Sequence, residues 1–244
     1  MISVCMATYN GAKFIEKQVI SILKQIEVSD EIIVSDDSST DDTLDILLKI
    51  DDPRIKIYKN AGFRNAVLNF EYALSKAKGS YIFLADQDDI WLEGRVDFAL
   101  KALKSYDLVV CDAEFIHADG TIYSNTPSFF NLYQSGSGFL KNFVKNTYIG
   151  NCMAFRRSVL EFSLPFPRAL HRFPNLDHGY WIGILSNLHF KVEFIPVVLV
   201  LYRRHESNVS PTTHTLISPY SFSSKLMSRL NLAVALIKHC LEKT

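Results

Sequence analysis

Residues 81–91 read YIFLADQDDIW and join an apolar run to three closely spaced carboxylates. Unpaired carboxylates are costly to bury, so a buried strand that ends in Asp86, Asp88 and Asp89 is typical of a functional site. Clustered oxygen ligands suit a hard divalent cation such as Mg²⁺ or Mn²⁺, which can in turn hold phosphate oxygens. The alternative is that Asp88 or Asp89 only caps a helix beginning near Ile90, but capping explains a single Asp. The segment therefore predicts a metal and diphosphate anchor in an enzyme that uses a nucleotide-activated donor.

Size and composition indicate a globular protein and exclude several classes of partner. The chain has 244 residues, 48% of them apolar, which is enough for one large domain or two small ones. Lys and Arg together number 26, as do Asp and Glu, so there is no net charge to attract nucleic acid. The four cysteines lack the spacing of a disulfide or metal framework, which predicts reduced thiols in the cytoplasm. The first residues do not resemble a signal peptide, and no apolar run approaches the roughly 20 residues of a membrane span.

Strand and helix patterns alternate in the first part of the chain. Apolar strands are predicted at residues 2–7, 31–35, 54–58 and 81–84, and helices at 14–23, 43–50 and 65–77. This alternation predicts βαβ units, a parallel sheet and an α/β fold. Polar clusters at 8–11, 36–41 and 86–89 follow three of the strands. Because ligands of parallel sheets bind at the carboxyl ends of the strands, we expect one site at that edge.

The second half of the chain is less regular. Its patterns predict strands at 108–111, 152–155 and 192–202, a helix at 178–185, and a hairpin that pairs 115–116 with 121–123. Pro196 predicts that the last strand lies at an edge or contains a bend. Residues 124–142, rich in Ser, Asn, Gly and aromatics, are expected to form a mobile loop or short helices over a site.

Three motifs together resemble those of the family 2 inverting glycosyltransferases of bacterial polysaccharide synthesis. They read VCMATYNG at 4–11, VSDDSSTD at 34–41 and DQDD at 86–89, in the family's order and spacing. The resemblance extends from residue 2 to about residue 210. It implies a fold of the GT-A type, in which a Rossmann-like nucleotide-binding half and a mixed central sheet form a single domain.

The resemblance also implies a division of labour along the chain. Residues 1–210 would be the GT-A domain, with the nucleotide sugar held by 1–100 and the acceptor by 101–210. Beyond the resemblance, the helical spacing of Leu226, Leu230, Ala233, Ile237 and Leu241 predicts an amphipathic tail at residues 211–244, which has four Lys or Arg against one acid. A basic amphipathic helix can lie on an anionic membrane, but it also fits a helix packed on its own domain or on a dimer partner.

The resemblance assigns the nucleotide-binding role to four residues near the strand ends, Thr8, Tyr9, Asp37 and Asp86. Asp37 would accept a hydrogen bond from the base, and Asp86 would contact the ribose. The other interpretation of Asp37 is that it caps the helix that follows Ser38-Ser39-Thr40, because this sequence is a strong helix-start signal.

The resemblance further implies that Asp88 binds the metal, that His205 reaches the metal or the diphosphate, and that Asp177 is the catalytic base. Without the family pattern, Asp177 would be read as the N-cap of the next helix, and His205 as a surface histidine packed beside two arginines. Trp91 and Trp181 are candidates for stacking on an acceptor sugar, although aromatic residues more often belong to the core.

The residue types fit the chemistry of sugar transfer from a nucleoside diphosphate to a hydroxyl. A metal on Asp88 would neutralise the departing diphosphate. A carboxylate such as Asp177 would take the proton of the attacking hydroxyl, a contribution that is typically about 10²–10⁴-fold in rate. One base opposite the leaving group gives direct displacement with inversion. Arg203, Arg204 or His205 could add positive charge near the diphosphate.

The expected substrates are a nucleotide sugar, either UDP-hexose or dTDP-rhamnose, and a glycan acceptor that the resemblance suggests is lipid-linked. We expect a cytoplasmic enzyme, either free or held by its tail on the inner face of the plasma membrane, with Mn²⁺ or Mg²⁺ as cofactor. Two other functions remain open. A nucleotidyltransferase would need a Gly-rich phosphate loop, for which residues 7–11 are poor. A non-catalytic sugar- or nucleotide-binding module would bind donor without turnover.

Overall fold

The first half of the chain alternates strands and helices, as predicted. Its strands are β1 (Ile2–Thr8), β2 (Glu31–Asp36), β3 (Ile55–Lys59) and β4 (Tyr81–Asp86). Its helices are α1 (Ile15–Leu23), α2 (Thr43–Ile50) and α3 (Ala66–Lys76). The computed structural model describes residues 1–59, 62–171, 176–206, 208 and 221–243. Strands β1, β2 and β4 are buried along almost their whole length, because they are apolar on both sides, as strands covered by helices on both faces must be.

The second half adds four strands and six helices within the described residues. The strands are β5 (Ile90–Trp91), β6 (Leu108–Ile116), β7 (Met153–Arg156) and β8 (Val192–Arg203). The helices are α4 (Arg95–Ala102), α5 (Phe129–Tyr133), α6 (Phe139–Val144), α7 (Arg157–Ser163), α8 (His178–His189) and α9 (Phe222–Lys243). Short 3-10 turns at Gly150–Cys152 and Arg168–His171 complete the order.

All eight strands form one sheet in the order β3-β2-β1-β4-β7-β6-β8-β5. Strands β3, β2, β1 and β4 are parallel, which confirms the prediction for the first half. Strand β7 is antiparallel to both β4 and β6, so the whole sheet is mixed. The sheet therefore continues from the first half into the second, and β4 ends in its middle. The boundary predicted between residues 210 and 211 lies outside the described residues.

Strand β8 is irregular next to Pro196. Its pairing with β6 shifts register twice, so that Cys111 is opposite Ile195 and Asp112 is opposite Val198. Proline cannot donate a ladder hydrogen bond, and a bulge is one of the places where a sheet tolerates it. The bend predicted at Pro196 is present. Strand β5 pairs with β8 only at Val200 and Leu201, so within the described residues the stretch around Pro196 has a strand partner only on its β6 side.

The hairpin predicted around residues 118–120 is present. Ile116 pairs with Ile122 as an antiparallel bridge, the His117 N–H donates to the Thr121 carbonyl oxygen at 2.8 Å, and the Tyr123 N–H donates to the Phe115 carbonyl oxygen at 3.0 Å. The predicted pairing of 115–116 with 121–123 is therefore confirmed, although the second arm is too short to count as a strand of the sheet. Strand β7 pairs with β6 only at residues 108–110, so the arm lies beside a part of β6 that β7 does not reach. Two short helices, α5 and α6, occur within residues 124–144, as one alternative for this segment predicted.

Helix α9 packs on the domain through one face. His239 is buried, its Nε2 lies 2.6 Å from the Phe162 carbonyl oxygen, and its ring meets Trp181 edge-on with centroids 5.1 Å apart. Leu232 and Leu236 are buried on the same side of the helix. Within the described residues, no helix combines the length and the apolar character needed to cross a bilayer.

Candidate active site

Three carboxylates meet where β4 ends. Asp86 is the last residue of β4, and ligand oxygens of Asp86, Asp88 and Asp89 lie within 4.8 Å of one another. The backbone there is held from below, because the buried Gln18 of α1 donates from Nε2 to the Asp86 carbonyl oxygen at 2.9 Å. The predicted carboxylate cluster is therefore present, on a segment anchored to α1.

The three carboxylates do not have the same task. Asp89 is 1% exposed and accepts the backbone N–H of Arg203 at 2.9 Å, and its other oxygen accepts the Asn151 amide. It thereby joins the end of β4 to the end of β8 and to the turn at Gly150–Cys152. Because both oxygens of Asp89 are engaged in this way, Asp86 and Asp88 are the members available to a ligand.

Asp88 is held by two residues that lie far from it in the sequence. His205 Nε2 lies 2.7 Å from Asp88 Oδ2, and the Asn208 amide donates to the same oxygen at 3.1 Å. Arg203 Nε donates to the Asp88 carbonyl oxygen at 2.6 Å. The His205 ring packs against Phe14, with centroids 4.7 Å apart. The structure thus brings Asp88 and His205 together, as the metal assignment requires.

The Arg203 guanidinium, one of three candidate charges for the diphosphate, binds backbone carbonyl oxygens instead. Its Nη1 donates to the carbonyl oxygens of His117 and Ala118, both at 3.1 Å. Arg203 therefore fastens the turn after β6 to the site. Arg204 and His205 line an open cavity of about 600 Å³ beside that turn.

The electrostatics of the cluster favour a bound cation. Burial, together with the negative charges of Asp88 and Asp177, raises the pKa of Asp86 to about 8. Burial and the charges of Asp88 and Asp86 likewise raise the pKa of Asp89 well above its usual value. A divalent cation among these oxygens would offset the repulsion, and carboxylate oxygens with one imidazole nitrogen suit Mn²⁺ or Mg²⁺. The residues present therefore fit the implied metal.

The nucleotide-binding candidates differ in how accessible they are. Thr8 is 1% exposed and donates from Oγ1 to Asp36 at 2.8 Å, whereas Tyr9 is 56% exposed. Asp37 is buried and accepts the backbone N–H groups of Phe63 and of Asn65, the latter at 3.3 Å. Tyr9 is thus open to a ligand, while Thr8 and Asp37 hold the backbone around it. The nucleotide-binding roles of all three stay predictions.

The loop after β1 is clamped from two sides. Gln87, between Asp86 and Asp88, accepts the Tyr9 N–H at 3.0 Å and donates to the Tyr9 carbonyl oxygen at 3.1 Å. On the other side, Ser39 Oγ accepts the Asn10 N–H at 2.9 Å, and Thr43 Oγ1 accepts the Gly11 N–H at 2.8 Å. The three polar clusters that follow β1, β2 and β4 are therefore one connected unit, as their positions predicted.

Asp177 caps α8 and belongs to the same site. Its Oδ1 accepts the Tyr180 N–H at 2.6 Å, and its charge acts on Asp86. Surrounding protein raises the pKa of Asp177, and the N–H groups of Tyr180 and Gly179 oppose that rise. The side chain is nevertheless exposed, so it is open to an acceptor. The capping interpretation is thus correct as structure, and it leaves the carboxylate available as a base.

The helix start next to Asp177 is packed on the first half of the domain. His178 stacks on Phe70 of α3, with ring centroids 3.8 Å apart. Burial lowers the pKa of His178 to about 3, so the imidazole is neutral at physiological pH. It therefore positions the base without supplying a charge to it.

The two candidate acceptor-binding indoles lie in the core. Trp91 is 3% exposed, and the Arg95 guanidinium lies 4.5 Å from its ring centroid. Trp181 is 0% exposed and donates from Nε1 to the Ser163 carbonyl oxygen at 3.0 Å. Tertiary packing covers both rings, so the expectation that they stack on an acceptor sugar is corrected to a structural role for each.

Several residues that shape the site were not singled out from the sequence. Gln18, Gln87 and Asn151 are neutral amides, and each acts through one or two hydrogen bonds to a distant segment. Of these three, only Gln87 could be connected with the site from the sequence, because it lies inside the carboxylate motif. A buried amide on an apolar helix face, such as Gln18 on α1, is the other pattern that could have drawn attention.

Comparisons with known proteins agree with this geometry. Residues 3–163 match the family described as Glycosyl transferase family 2. The Escherichia coli protein WfaP, a UDP-Glc:alpha-D-GlcNAc-diphosphoundecaprenol beta-1,3-glucosyltransferase, is 30% identical over 216 residues, which cover 86% of this chain and 80% of WfaP.

Solved structures are similar in fold. S. aureus TarS 1-349 in complex with UDP-GlcNAc has a TM-score of 0.70 at 18% identity, covering 96% of this chain and 66% of TarS. The mannosyltransferase PcManGT from Pyrobaculum calidifontis, in complex with GDP-Man and Mn²⁺, has a TM-score of 0.59 at 17% identity, covering 99% of this chain and 64% of PcManGT. This chain thus spans about two thirds of each of these structures, and the predicted GT-A fold is confirmed. With its motifs, sheet and carboxylate site in agreement with the family match, the chain belongs to glycosyltransferase family 2.

Proposed function

We propose that this protein transfers a hexose, with inversion, from a UDP-sugar to a hydroxyl of a lipid-linked glycan during the synthesis of a cell-surface polysaccharide. The observation that carries the proposal is the carboxylate cluster at the end of β4, with His205 in contact with Asp88 and with the charge of Asp177 acting on Asp86. The similarity to WfaP supports UDP-glucose as donor and a diphosphate-linked lipid as acceptor. Residues 1–100 would hold the donor and residues 101–210 the acceptor.

Asp88 and His205 would hold the divalent cation, and Asp86, in the same carboxylate cluster, would contact the ribose of the nucleotide. A cation bound there supplies Lewis-acid stabilisation of the diphosphate leaving group. Mn²⁺ is the first choice, because carboxylates and an imidazole form the donor set. Asp89 joins the end of β4 to the end of β8, and the exposed Tyr9 would contribute to the nucleotide pocket.

Asp177 would act as general base. Its carboxylate accepts the proton of the acceptor hydroxyl as the hydroxyl oxygen forms a bond to C1 of the sugar, and the bond between C1 and the diphosphate breaks on the opposite face. A raised pKa makes the carboxylate a stronger base. Its helix cap fixes its position during the reaction.

A lipid-linked acceptor places the reaction at a membrane surface, and a nucleotide-sugar donor places it on the cytoplasmic side. We therefore propose a peripheral enzyme on the inner face of the plasma membrane.

The test is a transfer assay with UDP-glucose, MnCl2 and a synthetic GlcNAc-diphospho-lipid, followed by mass spectrometry and by NMR of the new linkage. The proposal predicts one added hexose in β linkage from a UDP-sugar, and loss of product in chelator. Transfer from dTDP-rhamnose and not from any UDP-sugar would contradict the proposed donor and make dTDP-rhamnose the donor instead. Saturable donor binding without transfer to any acceptor would favour a non-catalytic binding module and would contradict the proposal.

A further inference from the structure

Helix α9 is apolar on two opposite sides. Leu232, Ala235 and His239 form the buried side against the domain. On the other side, Leu230, Val234 and Ile237 are 55%, 66% and 63% exposed. Side chains of α-helices recur every 3.6 residues, which places these two sets on opposite faces. A helix that only packs on its own domain needs the first face and has no use for the second.

Helix α6 extends this exposed face. Leu140 and Val144 lie one turn apart and are each 76% exposed. A groove of about 550 Å³ lies between α6 and α9, and its lining is almost wholly apolar, including Phe139, Phe143, Leu188 and Ala233. Together these side chains form one apolar surface, called here the α6–α9 surface. Large exposed apolar patches on soluble domains mark sites that bind a partner or a membrane.

The two helices that form the α6–α9 surface carry an excess of positive charge. Arg229 lies where the helices meet, since its Nη2 donates to the Val144 carbonyl oxygen at 3.3 Å, whereas Lys243 donates to the Glu161 carbonyl oxygen and Lys238 pairs with Glu242. Helices α6 and α9, with the residue that ends α6, carry six cations against the single acid Glu242, namely Lys141, Lys145, Lys225, Arg229, Lys238 and Lys243. The chain as a whole has 26 basic and 26 acidic residues, so this excess is local. Cations beside an apolar helix face complement the anionic headgroups of a lipid leaflet.

We propose that the α6–α9 surface docks the protein onto an anionic lipid bilayer, with the apolar side chains at the acyl boundary and the cations among the headgroups. The described helices include none able to span the bilayer, so the contact is interfacial. A second copy of the chain is a poorer occupant, because a two-fold contact would bring two sets of like charges together.

The α6–α9 surface is connected through Tyr180 to Asp177, the proposed base. The Tyr180 hydroxyl donates to the Asn142 carbonyl oxygen of α6 at 2.9 Å, and Arg229 of α9 lies 5.2 Å from the Tyr180 ring centroid. Tyr180 also provides the N–H that Asp177 caps. A bilayer bound at this surface would therefore deliver the headgroup end of a lipid-linked acceptor close to Asp177. This delivery step rests on the proposed function, whereas docking itself does not.

The experiment is vesicle co-sedimentation of the full chain with phosphatidylcholine alone and with phosphatidylcholine and phosphatidylglycerol in equal parts. Binding is expected with the anionic vesicles only, and it should weaken as salt is raised. Val144→Asp and Ile237→Asp should each lower vesicle affinity by about tenfold or more, because a charge would replace an apolar side chain that the bilayer buries on docking. Val28→Asp is the matched control, since Val28 is 85% exposed and lies outside the surface.

Melting temperature and Mn²⁺-dependent donor binding are measured on every variant. Both should equal those of the wild type, which separates failure of docking from failure of the fold or of the proposed function. Equal vesicle binding by Ile237→Asp and Val28→Asp would overturn the proposal, as would no binding of the wild type to anionic vesicles. A wild-type dimer in sedimentation velocity that Ile237→Asp dissociates would also overturn it, in favour of a second copy of the chain.

Discussion

His205 Nε2 lies 2.7 Å from a carboxylate oxygen of Asp88, across 117 residues of sequence. The contact joins the end of β4 to the segment after β8, and it is made possible by Asp89, which holds the Arg203 backbone two residues before His205. One carboxylate of the motif thus assembles the site so that another carboxylate can bind a ligand together with a distant imidazole.

Replacing this imidazole should weaken metal binding. His205→Ala is expected to raise the Kd for Mn²⁺, measured by calorimetry in the presence of UDP, by at least about tenfold, because a ligand and its contact with Asp88 are lost. His117→Ala is the control, since its ring lines the same cavity but stacks on Tyr123, with centroids 3.5 Å apart. An equal effect of the two substitutions would argue against His205 as a ligand.

Metal-free protein should become less stable as pH rises. The folded state raises the pKa of Asp86 from 3.8 to about 8, so the folded form binds more protons than the unfolded form between these values. The contribution that protonated Asp86 makes to the free energy of unfolding is therefore fully present below pH 4, and it is lost as pH rises through about 8. Added Mn²⁺ should raise the melting temperature more at pH 8 than at pH 6, whereas a pH-independent increment would count against cation binding at this cluster.

Trp181 should matter for stability and not for acceptor binding. Trp181→Phe removes the hydrogen bond to Ser163 and leaves a cavity, so it should lower the free energy of unfolding by about 1–3 kcal/mol in urea titration. The KM for acceptor should stay within about twofold, since the indole is buried. A raised KM at unchanged stability would restore the stacking role.

The sequence predicted the parts of the site that are local in the chain. Strand ends followed by polar clusters predicted that the Thr8 and Asp86 segments would meet, because the alternation of strands and helices alone implies a parallel sheet. The separate task of Asp89 was not predictable, since it depends on Asn151 and on the Arg203 backbone, which reach it only through the mixed part of the sheet.

Tertiary packing explains the failed expectations as well. The sequence of a helix does not show whether an indole ring faces solvent or the core. One side of the Trp181 ring is in contact with His239, which lies far along the chain. For α9, spacing and charge allowed both a packed helix and a membrane helix. The structure shows that one face is packed and leaves the opposite face exposed.

The most direct measurement is the effect of Asp177→Asn on transfer and on donor binding. Asn is as good an N-cap as Asp, so the Tyr180 contact and the start of α8 should remain while the base is lost. We predict that Asp177→Asn keeps the wild-type melting temperature and Mn²⁺-dependent donor affinity and lowers the rate of transfer by at least about a hundredfold. Near-normal transfer by Asp177→Asn would contradict the assignment of Asp177 as the base, and with it the proposed mechanism.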